Sequence, residues 1–262
     1  MEIVMPGSRE ARLAAARGQV AALEAGTRTP SPVLPFGDPR VDDVLPGGGL
    51  PLGRWHELTG EGLETETAAA AAGFAALLAR PLADRGAVVW ILRRDDLYAP
   101  GLASLGFPAE RLIQVWVRDE TNALMALEDA LASAGVAAVV AEAEAVDLTA
   151  GRRLQLACEK HGATGFVVRR RPFGGGASRS RTGSAAATRW RVAPACSDPP
   201  AGEPGLGPPR WQAALERCRG GRPGEWIFEW RPEADHASHP LRVVAGLADD
   251  GLETAERTRL RA

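Results

Sequence analysis

Four short apolar runs rich in β-branched residues, Ala87 to Leu92, Leu112 to Val117, Val136 to Ala141 and Thr164 to Arg169, alternate with segments of helical periodicity. The helical segments run from Glu66 to Ala79, from Glu120 to Ala134 and from Thr149 to His161, the last ended by Gly162. Strands that are apolar on both sides need cover on both faces, and a parallel neighbour needs a crossover that can supply it. The alternation therefore predicts an α/β fold in which helices flank a mostly parallel central sheet.

The pattern changes on either side of this core. Residues 8 to 25 form an alanine-rich amphipathic segment with Ser8 as N-cap, which predicts a separate helix. A proline-rich linker follows it to residue 35, so the main domain is expected over residues 36–247. After Arg169 a Gly/Ser/Arg-rich stretch has too few apolar residues to pack, and a mobile loop is expected over residues 170–187. Thr188 to Ala193 alternates as a strand, 194–209 is a Pro/Gly-rich spacer, and Trp226 to Arg231 and Leu241 to Leu247 are expected to extend the sheet antiparallel. Residues 248–262 form a charged tail.

The 262 residues are 45% hydrophobic, enough for a full core, and the net charge of -2 gives no global reason to expect nucleic-acid or membrane binding. Cys158, Cys196 and Cys218 are odd in number and widely spaced, which argues against disulfides or structural zinc and for a reducing compartment. With no signal-like segment and no membrane-length apolar run, a cytoplasmic protein is expected. Of the 31 basic residues, Lys160 is the single lysine.

The segment from Phe36 to Gly60, FGDPRVDDVLPGGGLPLGRWHELTG, resembles the opening of the RecA core, where a Gly-Gly-Leu-Pro turn and a strand lead into the phosphate loop. Within that superfamily, GRWHELTG, WILRRDDLYAPGLASLGF, the arginine-rich loop and RGGRPGEWIFEWRP resemble the ImuA family, RecA-like accessory proteins of the bacterial damage-induced mutagenesis cassette. The resemblance covers roughly residues 36 to 245. It implies an adaptor in SOS-induced translesion DNA synthesis that contacts RecA, the polymerase-like protein ImuB and, through ImuB, an error-prone polymerase.

A working phosphate loop reads G-x-x-x-x-G-K-[ST]. Here the matching octet keeps Gly60 and Thr67 but has Thr65 where the second glycine belongs and Glu66 where the lysine belongs. A carboxylate at that point repels the triphosphate that the lysine would neutralise. By the resemblance, Arg94 occupies the position of RecA's catalytic glutamate and Glu142 that of its metal-supporting aspartate. No catalytic residue, cofactor or metal is therefore expected, and an active ATPase paralogue is the alternative that the missing lysine opposes. The four histidines are scattered, and Cys158 lies on the apolar side of its helix.

One charge cluster stands out against the near-neutral whole. Arg169, Arg170, Arg171, Arg179, Arg181, Arg189 and Arg191 lie between Lys160 and Asp198 with no acidic residue among them, and Trp190 offers a stacking surface. Arginine with glycine and serine suits contact with a single-stranded DNA backbone without base reading, so these residues are the expected DNA site. A SulA-like cell-division inhibitor is the second functional reading, and such a protein has no use for a DNA-facing segment. The tryptophans of the last third admit both a core and a partner-anchoring role.

Overall fold

Strand-forming and helix-forming segments appear in the expected alternation in the computed structural model, which describes residues 32–62, 64–170, 184–199, 202, 204–232 and 239–246, side chains at 63–68 excepted. The chain divides into two units, Met1–Pro32 and Val33–Ala262, and the architecture below is that of the second. In chain order its elements are β1 (Val33–Leu34), α1 (Pro39–Asp42), β2 (Leu50–Pro51), β3 (Trp55–Gly60), α2 (Glu64–Ala79), β4 (Ala87–Leu92), α3 (Ala99–Ser104), β5 (Leu112–Trp116), α4 (Glu120–Leu131), β6 (Val136–Ala143), α5 (Leu148–His161), β7 (Thr164–Arg169), β8 (Thr188–Ala195), β9 (Arg210–Cys218), β10 (Gly224–Trp230) and β11 (Leu241–Gly246).

β3 to β11 form one nine-stranded sheet in the order β11-β10-β9-β8-β3-β7-β6-β4-β5. Every pair from β8 to β5 in that order is parallel. The pairs β8–β9, β9–β10 and β10–β11 are antiparallel. This is the expected mostly parallel sheet with antiparallel carboxy-terminal strands. β9 was not expected, since its sequence RWQAALERC is made of helix formers and lacks β-branched residues. Pairing to β8 and β10 on both edges overrides that local preference.

Alternate residues of the parallel strands feed two cores. On one face Leu58, Trp90, Val140, Phe166 and Val168 pack with Phe74, Leu77 and Leu78 of α2. On the other, Trp55, Ile91, Val139 and Val167 pack with Leu127 and Leu131 of α4 and Leu154 of α5. α5 can lie close to the sheet because Gly151 has no side chain: a Cβ there would stand 3.0 Å from the Trp55 ring, and the Trp55 indole donates to the Gly151 carbonyl at 3.0 Å. Asp119 caps α4 and Asp147 caps α5 through their side chains, and Gly162, at φ 78°, ends α5 in the left-handed region.

β8 to β11 extend only the first of these cores, with Trp190, Trp211, Trp226, Phe228 and Val243 facing α2. Residues of the alternate positions carry charge instead, as in the pairs of Arg191 with Glu216 and of Arg210 and Arg242 with Glu229. Residues 184–187, expected inside the mobile loop, are packed: Ala186 is 2% exposed and belongs to the second core. The expected helix over 8–25, the loop stretch 171–183 and the tail 248–262 lie outside the described residues. No described helix is long and apolar enough to cross a membrane.

Candidate functional site

The carboxyl ends of β3, β4, β6 and β7 meet at one end of the sheet, the place where open parallel sheets form their sites. β3 runs into Glu61 and Gly62 and then directly into α2, the strand, turn and helix of a phosphate loop. Gly60, Thr65, Glu66 and Thr67 fall on this connection, Gly60 closing the strand and the other three lying in the first turn of the helix. Arg94 follows β4 by two residues, and Glu142 lies within β6.

Around them is a network of arginines and carboxylates. The Arg170 guanidinium donates to both Asp96 oxygens, at 3.0 and 2.8 Å, and to Glu142 at 2.8 Å. Burial pushes the Glu142 carboxyl up, and the hydrogen bond from Arg170 offsets this. That same guanidinium holds the Asp96 carboxyl below the usual range. Burial opposes the charge on Arg170, yet its bonds to the two carboxylates keep its pKa above the ordinary value. Glu57, 4% exposed in the central strand, takes Arg169 on one oxygen at 3.0 Å and Arg189 on the other at 3.3 Å. Arg191 pairs with Glu61 and, at 3.1 Å, with Glu216. Arg93 links Glu120 and Glu144 at 2.9 and 2.8 Å.

The expected DNA-site residues thus separate into two groups. Arg171, Arg179 and Arg181 lie outside the described residues. Arg169 and Arg170 at the carboxyl end of β7 and Arg189 and Arg191 in the first half of β8 are brought together, all engaged by carboxylates of the same chain. Trp190 is not a stacking surface: it is 0% exposed, with ring centroids of Phe74, Trp226 and Phe36 between 5.9 and 6.3 Å away. Strand alternation explains the correction, because Arg189 and Arg191 point to the charged face and the residue between them must point to the core. Trp211 and Trp226 are buried in the same cluster, and Trp230 packs against it.

Behind Trp190 a buried polar chain ties three strands together. Its indole donates to the Thr188 hydroxyl at 2.9 Å, that oxygen lies 2.7 Å from Nδ1 of His56, and Nε2 of His56 lies 2.9 Å from the Pro51 carbonyl. A carbonyl can only accept, so the proton sits on Nε2 and the Thr188 hydroxyl donates to Nδ1. Burial pushes His56 down to about 4, keeping it neutral. Cys158 is buried, its thiol pushed up to about 12, as a core residue should be. A separate cavity of about 330 Å³ lies beside β5, lined by Leu102, Phe107, Leu112, Gln114 and Trp116, and carries no charge.

Glu57 and Asp96 were not singled out from the sequence. A signal existed for Glu57: a carboxylate inside the strand WHELTG must have a cation when buried, and an arginine ends β7 beside it. Asp96 left no such signal, since its tie to Arg170 spans 74 residues.

Strand order and the strand-to-helix turn after β3 define a fold of the RecA and KaiC type. A KaiC-like protein of the archaeon Pyrococcus horikoshii overlays 82% of this chain and 100% of its own with a TM-score of 0.52 at 18% identity, a likeness of fold alone. SulA from Pseudomonas aeruginosa overlays 44% of the chain with a TM-score of 0.38, too little to bear on function. No family model matches the chain. Protein ImuA from two strains of Caulobacter vibrioides is 62% identical over 242 residues, 90% of this chain and 99% of the relative. The chain belongs to the ImuA family.

Proposed function

We propose that the chain is a non-catalytic RecA-like adaptor of SOS-induced translesion synthesis, acting in the cytoplasm, that binds RecA and ImuB and, through ImuB, an error-prone polymerase. Its contact with single-stranded DNA is assigned to Arg171, Arg179 and Arg181. The observation that carries the reading is the ion pair of Arg170 with Glu142. A carboxylate that already holds a guanidinium has little charge to offer a magnesium ion, and the phosphate-loop sequence has Glu66 where a lysine would neutralise the phosphates of ATP. Arg94, in place of a glutamate, is no general base. Membership in the ImuA family supports the pathway, and the remaining partners follow from the family resemblance.

Calorimetric titration with magnesium ATP is expected to show no binding at physiological concentration; micromolar affinity would overturn the non-catalytic reading. Affinity capture of the tagged chain from DNA-damaged cells is expected to recover RecA and ImuB. Recovery of neither would remove the adaptor role.

A further inference from the structure

Each described arginine that flanks residues 171–183 is held by a carboxylate, and these carboxylates differ in one respect. Glu57 and Glu142 have side chains 6% and 5% exposed, whereas Asp96 on Arg170 and Glu61 and Glu216 on Arg191 are 41%, 50% and 43% exposed, and of these three only Asp96 shares its arginine with a buried carboxylate. We infer that Asp96 is an internal stand-in for a phosphate: Arg170 is a polyanion-binding residue, and a nucleic-acid backbone engages it by displacing Asp96. This rests on the single-stranded DNA contact proposed above.

The geometry supports an exchange. Asp96 receives both terminal nitrogens of Arg170, at 3.0 and 2.8 Å, in the fork that a guanidinium also forms with two phosphate oxygens. Asp96 is the water-facing member of the pair and can be solvated once it leaves, whereas Arg170 is 13% exposed and Glu142 5% exposed, and a buried charge stripped of its partner is left at a large penalty. Glu142 therefore keeps the guanidinium in place while its outer side changes partner, which presents a preoriented donor pair to the incoming phosphate. Arg170 is adjacent in sequence to Arg171, one of the residues assigned to the single-stranded DNA contact. The carboxylate that must leave also repels the phosphate that replaces it, so Asp96 sets the affinity lower than the arginines alone would give.

The test compares the full chain with its Asp96→Asn variant in binding to oligo-dT between about 50 and 200 mM salt. Asp96 is exposed, so the variant folds. Asp96→Asn is expected to bind several-fold more tightly, with a log-log salt slope steeper by up to about 0.7, because in the parent the freed Asp96 carboxylate takes up a cation that offsets the one released at the phosphate held by Arg170. Asp95→Asn removes the same charge one residue away without touching Arg170 and should leave the slope unchanged. Binding by Asp96→Asn where the parent shows none would equally support the inference. If the parent binds and Asp96→Asn matches it in affinity and slope, or if Asp95→Asn gives the same gain, the inference falls while the DNA contact stands. If neither parent nor Asp96→Asn binds, both fall.

Discussion

Trp190→Ala removes an indole that is 0% exposed and that touches Phe36, Phe74 and Trp226 at the centre of the first core. Truncating a buried tryptophan to alanine costs about 3–5 kcal/mol, and these closely packed aromatic neighbours leave little room for collapse, which places the cost near the upper end. Loss of the indole donor adds less, because the Thr188 oxygen keeps its bond to His56. A loss of about 4 kcal/mol is a large share of the ~5–15 kcal/mol that holds a domain folded. With a urea slope of about 2 kcal/mol/M, the midpoint should fall by about 2 M. Trp190→Phe, which keeps most of the ring, should fall less. Followed by circular dichroism alongside oligo-dT binding, Trp190→Ala should alter DNA affinity only where it also unfolds the chain. A stability loss below about 1 kcal/mol together with weakened DNA binding by folded protein would refute the reasoning and restore Trp190 as a stacking surface.

Burial pushes His56 down to about 4 and His239 down to about 3, whereas both titrate near 6.5 in the unfolded chain. Because the unfolded chain takes up protons that the folded one refuses, this stability is fully present above about pH 6.5 and is lost as the pH falls toward those lower values. The urea midpoint should accordingly drop between pH 7 and pH 5, and an equal midpoint at both would contradict the neutral burial of the two rings. Among the thiols, Cys196 is exposed while burial raises Cys158 to about 12 and Cys218 to about 11, so a thiol reagent should modify Cys196 first and Cys158 only on unfolding. Early labelling of Cys158, read by peptide mass, would show that the second core opens in the native state.

The parallel half of the sheet was legible because β4 and most of β6 and β7 are buried and apolar at nearly every position, a signal that survives without knowledge of their neighbours. Ala87–Leu92 and Thr164–Arg169 stand as expected to the residue. β9 was illegible for the opposite reason: a strand with one charged face and an interior of alanine and leucine carries its β character in its pairing partners. The candidate site was half legible. Substitution of lysine by Glu66 and the clustering of arginines are properties of the linear chain. That Arg169 and Arg189 would share Glu57 depends on β3 lying between β7 and β8, which no local pattern records.

That same placement of β3 governs the order in which the protein can be completed. β3 is made early, yet both of its neighbours come late, and the bond that joins His56 to Thr188 spans 132 residues. At roughly 5–20 residues per second of synthesis, β3 waits on the order of ten seconds with both hydrogen-bonding edges open and with Trp55 and Leu58 lacking their final cover. β4, β5 and β6 are close in sequence and can pair during that interval, at a smaller entropic cost of loop closure. The nascent chain thus passes through a stage in which its future central strand has both edges open, and a ribosome stalled before Thr188 would leave the β3 edge that β8 fills still unpaired.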